Sequence, residues 1–156
     1  MTRIMKKCWD ANKDKLRNLL AERTDLNGCE YNDLVKLTFE TIYNAHTDLS
    51  GYPTLNVDNI TIIDDGEYQG TLLFLIPFNT YQPSEYEYVM SFINYGSCSG
   101  CDALQGVQSW GNYGKEKPTE EQLDGFMNIC KDLICNAIKP YNCAWREDEN
   151  WLPAEF

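Results

Sequence analysis

Between Lys36 and Lys115 the chain has no lysine and no arginine. The same stretch carries nine acids, Glu40, Asp48, Asp58, Asp64, Asp65, Glu67, Glu85, Glu87 and Asp102. A surface built from it projects a negative field without internal neutralisation. That argues against direct binding to DNA or RNA, because phosphate contacts need cationic side chains. Histidine is nearly absent as well. His46 is the only one, so any Ser–His or Cys–His catalyst would have to use it. It falls at the predicted end of a helix, where histidine commonly bonds the last carbonyls. No nucleophile elbow, phosphate-cradling glycine loop or His-rich metal motif occurs, and the sequence reads as a non-enzyme. Long apolar runs are lacking too. The longest, residues 72–78, is far short of the roughly 20 residues a membrane helix needs. No apolar segment follows the basic residues near the N-terminus. A soluble, cytoplasmic protein with no membrane partner is the expectation.

What is present supports a packed core. Of 156 residues, 43% are hydrophobic and 13% aromatic, more than a disordered chain carries. One α+β domain over residues 1–140 is predicted, with an acidic aromatic tail, 141–156, packed on or beside it. The seven cysteines are odd in number and scattered, and in a cytoplasm most serve as small buried hydrophobes. The net charge of −11 is uneven. Residues 1–23 hold seven basic side chains against three acidic ones, and the remaining 133 hold six against 21. Solubility alone would explain such a charge.

Periodicity predicts four helices and a small sheet. Met5, Cys8, Trp9, Leu16, Leu19 and Leu20 recur at helical steps over residues 2–22, with basic residues between them. A second helix spans 31–44. Ile60, Thr61, Ile62 and Ile63 read as a strand, and Asp65-Gly66 as a hairpin turn. Residues 71–78 are apolar on both faces, which suits the central strand of a covered sheet. Residues 86–95 complete a three-stranded antiparallel meander, covered by amphipathic helices. A short helix follows at 103–108. Thr119-Glu120-Glu121-Gln122 is a capping box that opens the last helix, and Pro140 stops it.

Cys98-Ser99-Gly100-Cys101 is the one motif with chemical meaning, and three readings of it stand side by side. It is a structural turn, with positive φ at Gly96 and Gly100, local bonds from Ser97 and Ser99, and Asp102 as a helix cap. It is half a zinc site, completed by Cys130 or Cys135 and by His46 or Cys143. Or it is a dithiol redox pair at a helix start, although three antiparallel strands precede it rather than a βαβ unit. The cluster Asp64, Asp65, Glu67 lacks the ligand spacing of a calcium loop, and a turn explains it more simply. Tyrosines 68, 81, 86, 88, 95 and 113 lie on or beside the sheet among its acids. Tyrosine is enriched at protein interfaces, although ordinary packing at sheet edges also places it there.

The segments Asp64-Asp65-Gly66-Glu67-Tyr68-Gln69-Gly70-Thr71, Leu75-Ile76-Pro77, Thr80-Tyr81-Gln82-Pro83, Tyr95-Gly96-Ser97-Cys98-Ser99-Gly100-Cys101-Asp102-Ala103-Leu104-Gln105 and Pro118-Thr119-Glu120-Glu121-Gln122 resemble a family of small uncharacterised bacteriophage and prophage proteins. The resemblance implies a phage source acting in a host cytoplasm and supplies no catalytic residue. It implies an acidic inhibitor that binds a basic host protein stoichiometrically, such as a nucleic-acid-handling or CRISPR effector protein. Its carboxylates would occupy a groove meant for phosphates. The candidate contacts are Asp64, Asp65, Glu67, Tyr68, Glu85, Tyr86, Glu87, Tyr88, Glu147, Asp148 and Glu149. A zinc or dithiol module at Cys98 and Cys101 is the alternative, and a phage assembly accessory, for which the oligomeric state is the first clue, is the second.

Overall fold

The computed structural model describes residues 1–46, 51–108, 115–139 and 149–154. The first helix, α1 (Arg3–Glu22), buries Ile4, Met5, Cys8, Trp9, Leu16 and Leu20 along one stripe. Leu19, expected on that stripe, is 42% exposed. One of its cations, Arg17, reaches the last helix, α4 (Glu120–Cys135). Arg17 donates to Asp124 Oδ1 at 2.7 Å and to Glu120 Oε2 at 2.9 Å, and Lys117 donates to Glu22 at 2.6 Å. Exposed pairs of this kind are screened by solvent and contribute little to stability. They orient the two helices while apolar burial holds them together.

The second helix starts on a capping box that the sequence reading missed. Glu30 precedes α2 (Tyr31–Phe39), and Asp33 Oδ2 accepts the Glu30 N–H at 2.9 Å. The expected single helix over 31–44 then changes winding, and Glu40–Asn44 is π-helical. Asn44 anchors the returning chain there. Its Oδ1 accepts Leu55 N–H at 2.7 Å, and its Nδ2 donates to Leu55 O at 2.9 Å.

The sheet is the predicted meander, in the order β1 (Thr61–Asp64), β2 (Gly70–Pro77), β3 (Tyr88–Tyr95), all antiparallel. Alternation along the strands gives each residue a side. Phe74, Ile76, Val89, Ser91 and Ile93 are buried in the helix-covered core. Ser91 Oγ donates to Leu133 O at 2.6 Å, pinning α4 to β3. The central strand is apolar on both faces, as expected, but its two faces are not equally buried. Leu73, Leu75, Met90 and Phe92, on the other side, are only half-buried, and Ile63, opposite Leu73, is 47% exposed. Among the described residues the buried strand side chains of the core lie on the Phe74 side, together with those of the helices.

The β1–β2 connection also differs from expectation. Residues 65–69 join the strands in place of a two-residue Asp65-Gly66 turn. Asp64 Oδ1 accepts Gly66 N–H at 3.0 Å, and Asp65 Oδ1 accepts Thr71 N–H at 2.5 Å, so the carboxylates wind the chain into a longer loop. Gly66 is needed for close approach, since a Cβ there would collide with the Gln69 carbonyl. Positive φ is not the reason, because Gly51 is the one described glycine with it.

A five-residue helix, α3 (Ala103–Val107), leads toward α4. The predicted capping box of α4 is present. Thr119 Oγ1 accepts Gln122 N–H at 3.2 Å, and Gln122 Oε1 accepts Thr119 N–H at 3.1 Å. Thr119→Ala is expected to lower stability by about 1 kcal/mol in urea unfolding, and Thr119→Ser by much less. An unchanged midpoint in Thr119→Ala would show the cap to be idle. The described part of the tail packs on the N-terminus. Leu152 O accepts Arg3 N–H at 2.9 Å, Met1 O accepts Ala154 N–H at 3.1 Å, and Trp151 is buried. Among the described residues no helix is long and apolar enough to cross a membrane.

Candidate binding cleft

The helices cover the Phe74 side of the sheet incompletely. Ile62 pairs with Phe74 across the β1–β2 ladder and shares its side, yet it is 43% exposed. The gap beside it is a cleft of about 610 Å³. One wall is β1 with its loop (Ile62, Asp64, Glu67, Tyr68), and the floor is Leu72, Phe74 and Tyr95. The other wall comes from the start of α2 (Glu30, Tyr31, Asn32) and from the turn and helix after β3 (Gly96, Ser97, Asp102, Leu104, Gln105).

Among the described lining residues four are acidic (Glu30, Asp64, Glu67 and Asp102), none is Lys or Arg, and Tyr31, Tyr68, Phe74 and Tyr95 add aromatic surface. Tyr68 is 79% exposed at the rim. Asn32 buries a side-chain oxygen that no donor among the described residues reaches. Lys6 pairs with Asp10, Arg17 with Glu120 and Asp124, and Arg23 with Asp25. The described lining gives the cleft a negative field.

Two tyrosine–aspartate pairs stiffen the walls. Tyr31 donates to Asp102 Oδ1 at 3.1 Å and accepts Leu104 N–H at 3.1 Å. Burial, more than the neighbouring carboxylate, pushes the Tyr31 phenol well above its ordinary value. Asp102 is itself buried and also accepts Gly96 N–H at 3.1 Å and Gln105 N–H at 2.8 Å. The predicted helix cap is thus the hub that fastens turn, helix and α2 together. From the floor Tyr95 donates to Asp64 Oδ1 at 2.7 Å. That bond first, then desolvation and the charges of Asp64 and Asp65, push the phenol from 10.0 to about 12. A raised pKa means that folding favours the protonated phenol. The contribution is complete below the unfolded value near 10 and is lost as pH rises through about 12. Tyr95→Phe is expected to flatten the alkaline loss of stability in that window, read from unfolding midpoints at stepped pH. An identical alkaline profile would contradict the pairing.

The eleven candidate contacts are not one surface. Asp64, Glu67 and Tyr68 line the cleft, and Asp65 braces the loop beside them. Glu85, Tyr86, Glu87 and Tyr88 lie at the other end of the sheet, since Tyr88 pairs with Pro77 whereas Tyr95 pairs with Gly70. At about 3.3 Å per residue, the length of β3 puts the two groups on the order of 23 Å apart. Glu87 is engaged locally. Its Oε2 accepts Ser84 N–H at 2.8 Å and Ser84 Oγ–H at 3.0 Å, and these bonds hold its carboxyl below the usual range. Glu149 sits beside Arg3, Lys6 and Lys7 at the start of α1. Glu147, Asp148 and Tyr113 lie outside the described residues. Glu30, Tyr31 and Gln105 belong to the cleft but were not singled out as site residues. Only the cap signature at Glu30 and Asp33 could have drawn attention to them.

Beside the cleft, Cys98 and Cys101 are exposed, and their sulfurs touch at 2.8 Å. They form a turn that ends before α3 begins, so they precede that helix and do not open it. Gly96 and Gly100 do not take the positive φ expected of them. Gly96 instead lets Cys101 approach, because a Cβ there would lie 2.6 Å from its sulfur. Of the proposed further zinc ligands, Cys130 is completely buried in the core, where desolvation pushes its thiol up to about 12. Cys143 lies outside the described residues, and among those described no three ligating side chains cluster. No protein-family model, curated protein or solved structure matches the chain, and its own geometry supplies the functional reading.

Proposed function

We propose that the chain is a binding protein whose cleft receives a cationic group of a basic partner protein. One observation carries this reading: a cavity of about 610 Å³ lined, among the described residues, by four acids, four aromatic rings and no lysine or arginine. A guanidinium suits such a lining, because it stacks on aromatic faces and donates in a fixed fork to carboxylates. Arg and Lys grooves that normally hold phosphates are the surfaces most complementary to it. On this reading the chain blocks a nucleic-acid-handling host protein by occupancy, as the phage resemblance implies, and performs no reaction.

Titration with a short arginine-rich peptide, followed by intrinsic fluorescence, tests it. Binding should weaken steeply as salt rises through the range where the Debye length falls below about 10 Å. A glutamate-rich peptide of equal length should not bind. Salt-independent binding, or equal affinity for both peptides, would remove the electrostatic basis of the proposal.

A further inference from the structure

Among the described residues the two exposed thiols are neighbours, and Cys135 is half-buried. Cys98 and Cys101 are exposed, whereas Cys8, Cys29 and Cys130 are buried. Cys101 N–H and Asp102 N–H both donate to Cys98 O, at 3.0 and 2.8 Å, and close a tight turn around the two sulfurs. Such a turn keeps its first and fourth Cα atoms within about 7 Å, and a disulfide spans about 4.4–6.8 Å between Cα atoms. Bond formation therefore asks for no backbone rearrangement. The turn is also fixed from behind, by Asp102 accepting Gly96 N–H and by the absence of a side chain at Gly96 where Cys101 packs.

We propose that Cys98 and Cys101 form a dithiol site that closes reversibly to a disulfide by exchange with a low-molecular-weight disulfide. Cys101 is the attacking residue, since its sulfur accepts the Cys98 N–H at 3.2 Å. Hydrogen bonding from the Cys98 thiol first, with this N–H and Ser97 adding to it, lowers the Cys101 pKa, which raises the thiolate fraction. The Cys101 thiolate, having lost its proton to solvent, attacks one sulfur of the small disulfide. That S–S bond breaks, and the displaced thiolate takes up a proton. Cys98 then loses its proton and attacks Cys101 Sγ in the mixed disulfide. The intramolecular S–S bond forms as the second small thiolate leaves and is protonated. Two protein thiols are oxidised and one small disulfide is reduced to two thiols. This site rests on the turn alone and is independent of what occupies the cleft.

The test equilibrates the full chain with excess oxidised glutathione, alkylates the remaining thiols and measures mass. The expected product lacks two hydrogens, localised to the peptide holding Cys98 and Cys101, and excess reduced glutathione restores the thiols. Cys98→Ser should instead retain a single glutathione on Cys101, and circular dichroism should match the parent, because the substituted side chain is exposed. Separate glutathione adducts on both Cys98 and Cys101 of the parent chain, or thiols at 98 and 101 that stay unreacted, would overturn the proposal.

Discussion

Asp102→Ala is expected to cost the protein about 3 kcal/mol or more. The carboxylate is buried and accepts from Gly96 N–H, Gln105 N–H and Tyr31 Oη–H. A hydrogen bond contributes about 1 kcal/mol net, but a buried donor left without an acceptor costs about 1–3 kcal/mol. Alanine strands two backbone donors at once. For a domain of this size the loss corresponds to a fall in Tm on the order of 10 °C. Asp102→Asn keeps one acceptor oxygen and turns an amide donor toward one of the backbone N–H groups, so its loss should be intermediate. Urea unfolding of the three proteins gives the order. A loss under about 1 kcal/mol for Asp102→Ala would mean that water satisfies these donors and that the turn is not fastened as described. Because the same carboxylate holds the wall of the cleft, a damaged but folded Asp102 variant should also bind the arginine-rich peptide more weakly.

The second large effect is on binding. Asp64→Lys with Glu67→Lys should weaken the arginine-rich peptide by about 2–3 kcal/mol, on the order of 30- to 150-fold, since like charges set against each other across an interface cost several kcal/mol. The matched control is Glu85→Lys with Glu87→Lys at the far end of the sheet. Both double variants change the net charge equally. The distance along β3, on the order of 23 Å, exceeds the Debye length of about 10 Å at 0.1 M salt, so the control should bind within about twofold of the parent. Equal losses in the two variants would mean that bulk charge attracts the peptide and that the cleft does not select it. The comparison also separates recognition from solubility, the plainer explanation of an acidic chain.

Local signals were legible wherever one segment contains its own cause. The buried stripe of α1, the meander and the Thr119–Gln122 box follow from spacing and capping chemistry within a few residues. Asp102 was recognisable as a cap for the same reason, since its acceptor meets Gln105 three positions on. Its bonds to Tyr31 and Gly96 were not, because one of them crosses 71 positions of chain. Gly96 was misread: it was taken as a sign of positive φ, whereas the position is set by Cys101 packing against the bare Cα. The cleft escaped notice because its walls come from separate stretches near residues 30, 64 and 102 that meet only in the folded chain. The acids were legible as a count, but their division between two ends of the sheet depends on strand direction. Charge density along a sequence does not specify charge density on a surface.

The most direct test of the cleft is a residue-by-residue map of where a cation lands. Amide resonances of the isotope-labelled full chain, followed during titration with the arginine-rich peptide, supply it. The shifts should concentrate at Glu30, Tyr31, Asp64, Glu67, Tyr68, Tyr95 and Gly96, and should leave Glu85 and Glu87 in place. Shifts centred on the Ser84–Glu87 loop, or spread evenly over every exposed acid, would contradict the assignment of the cleft as the binding site.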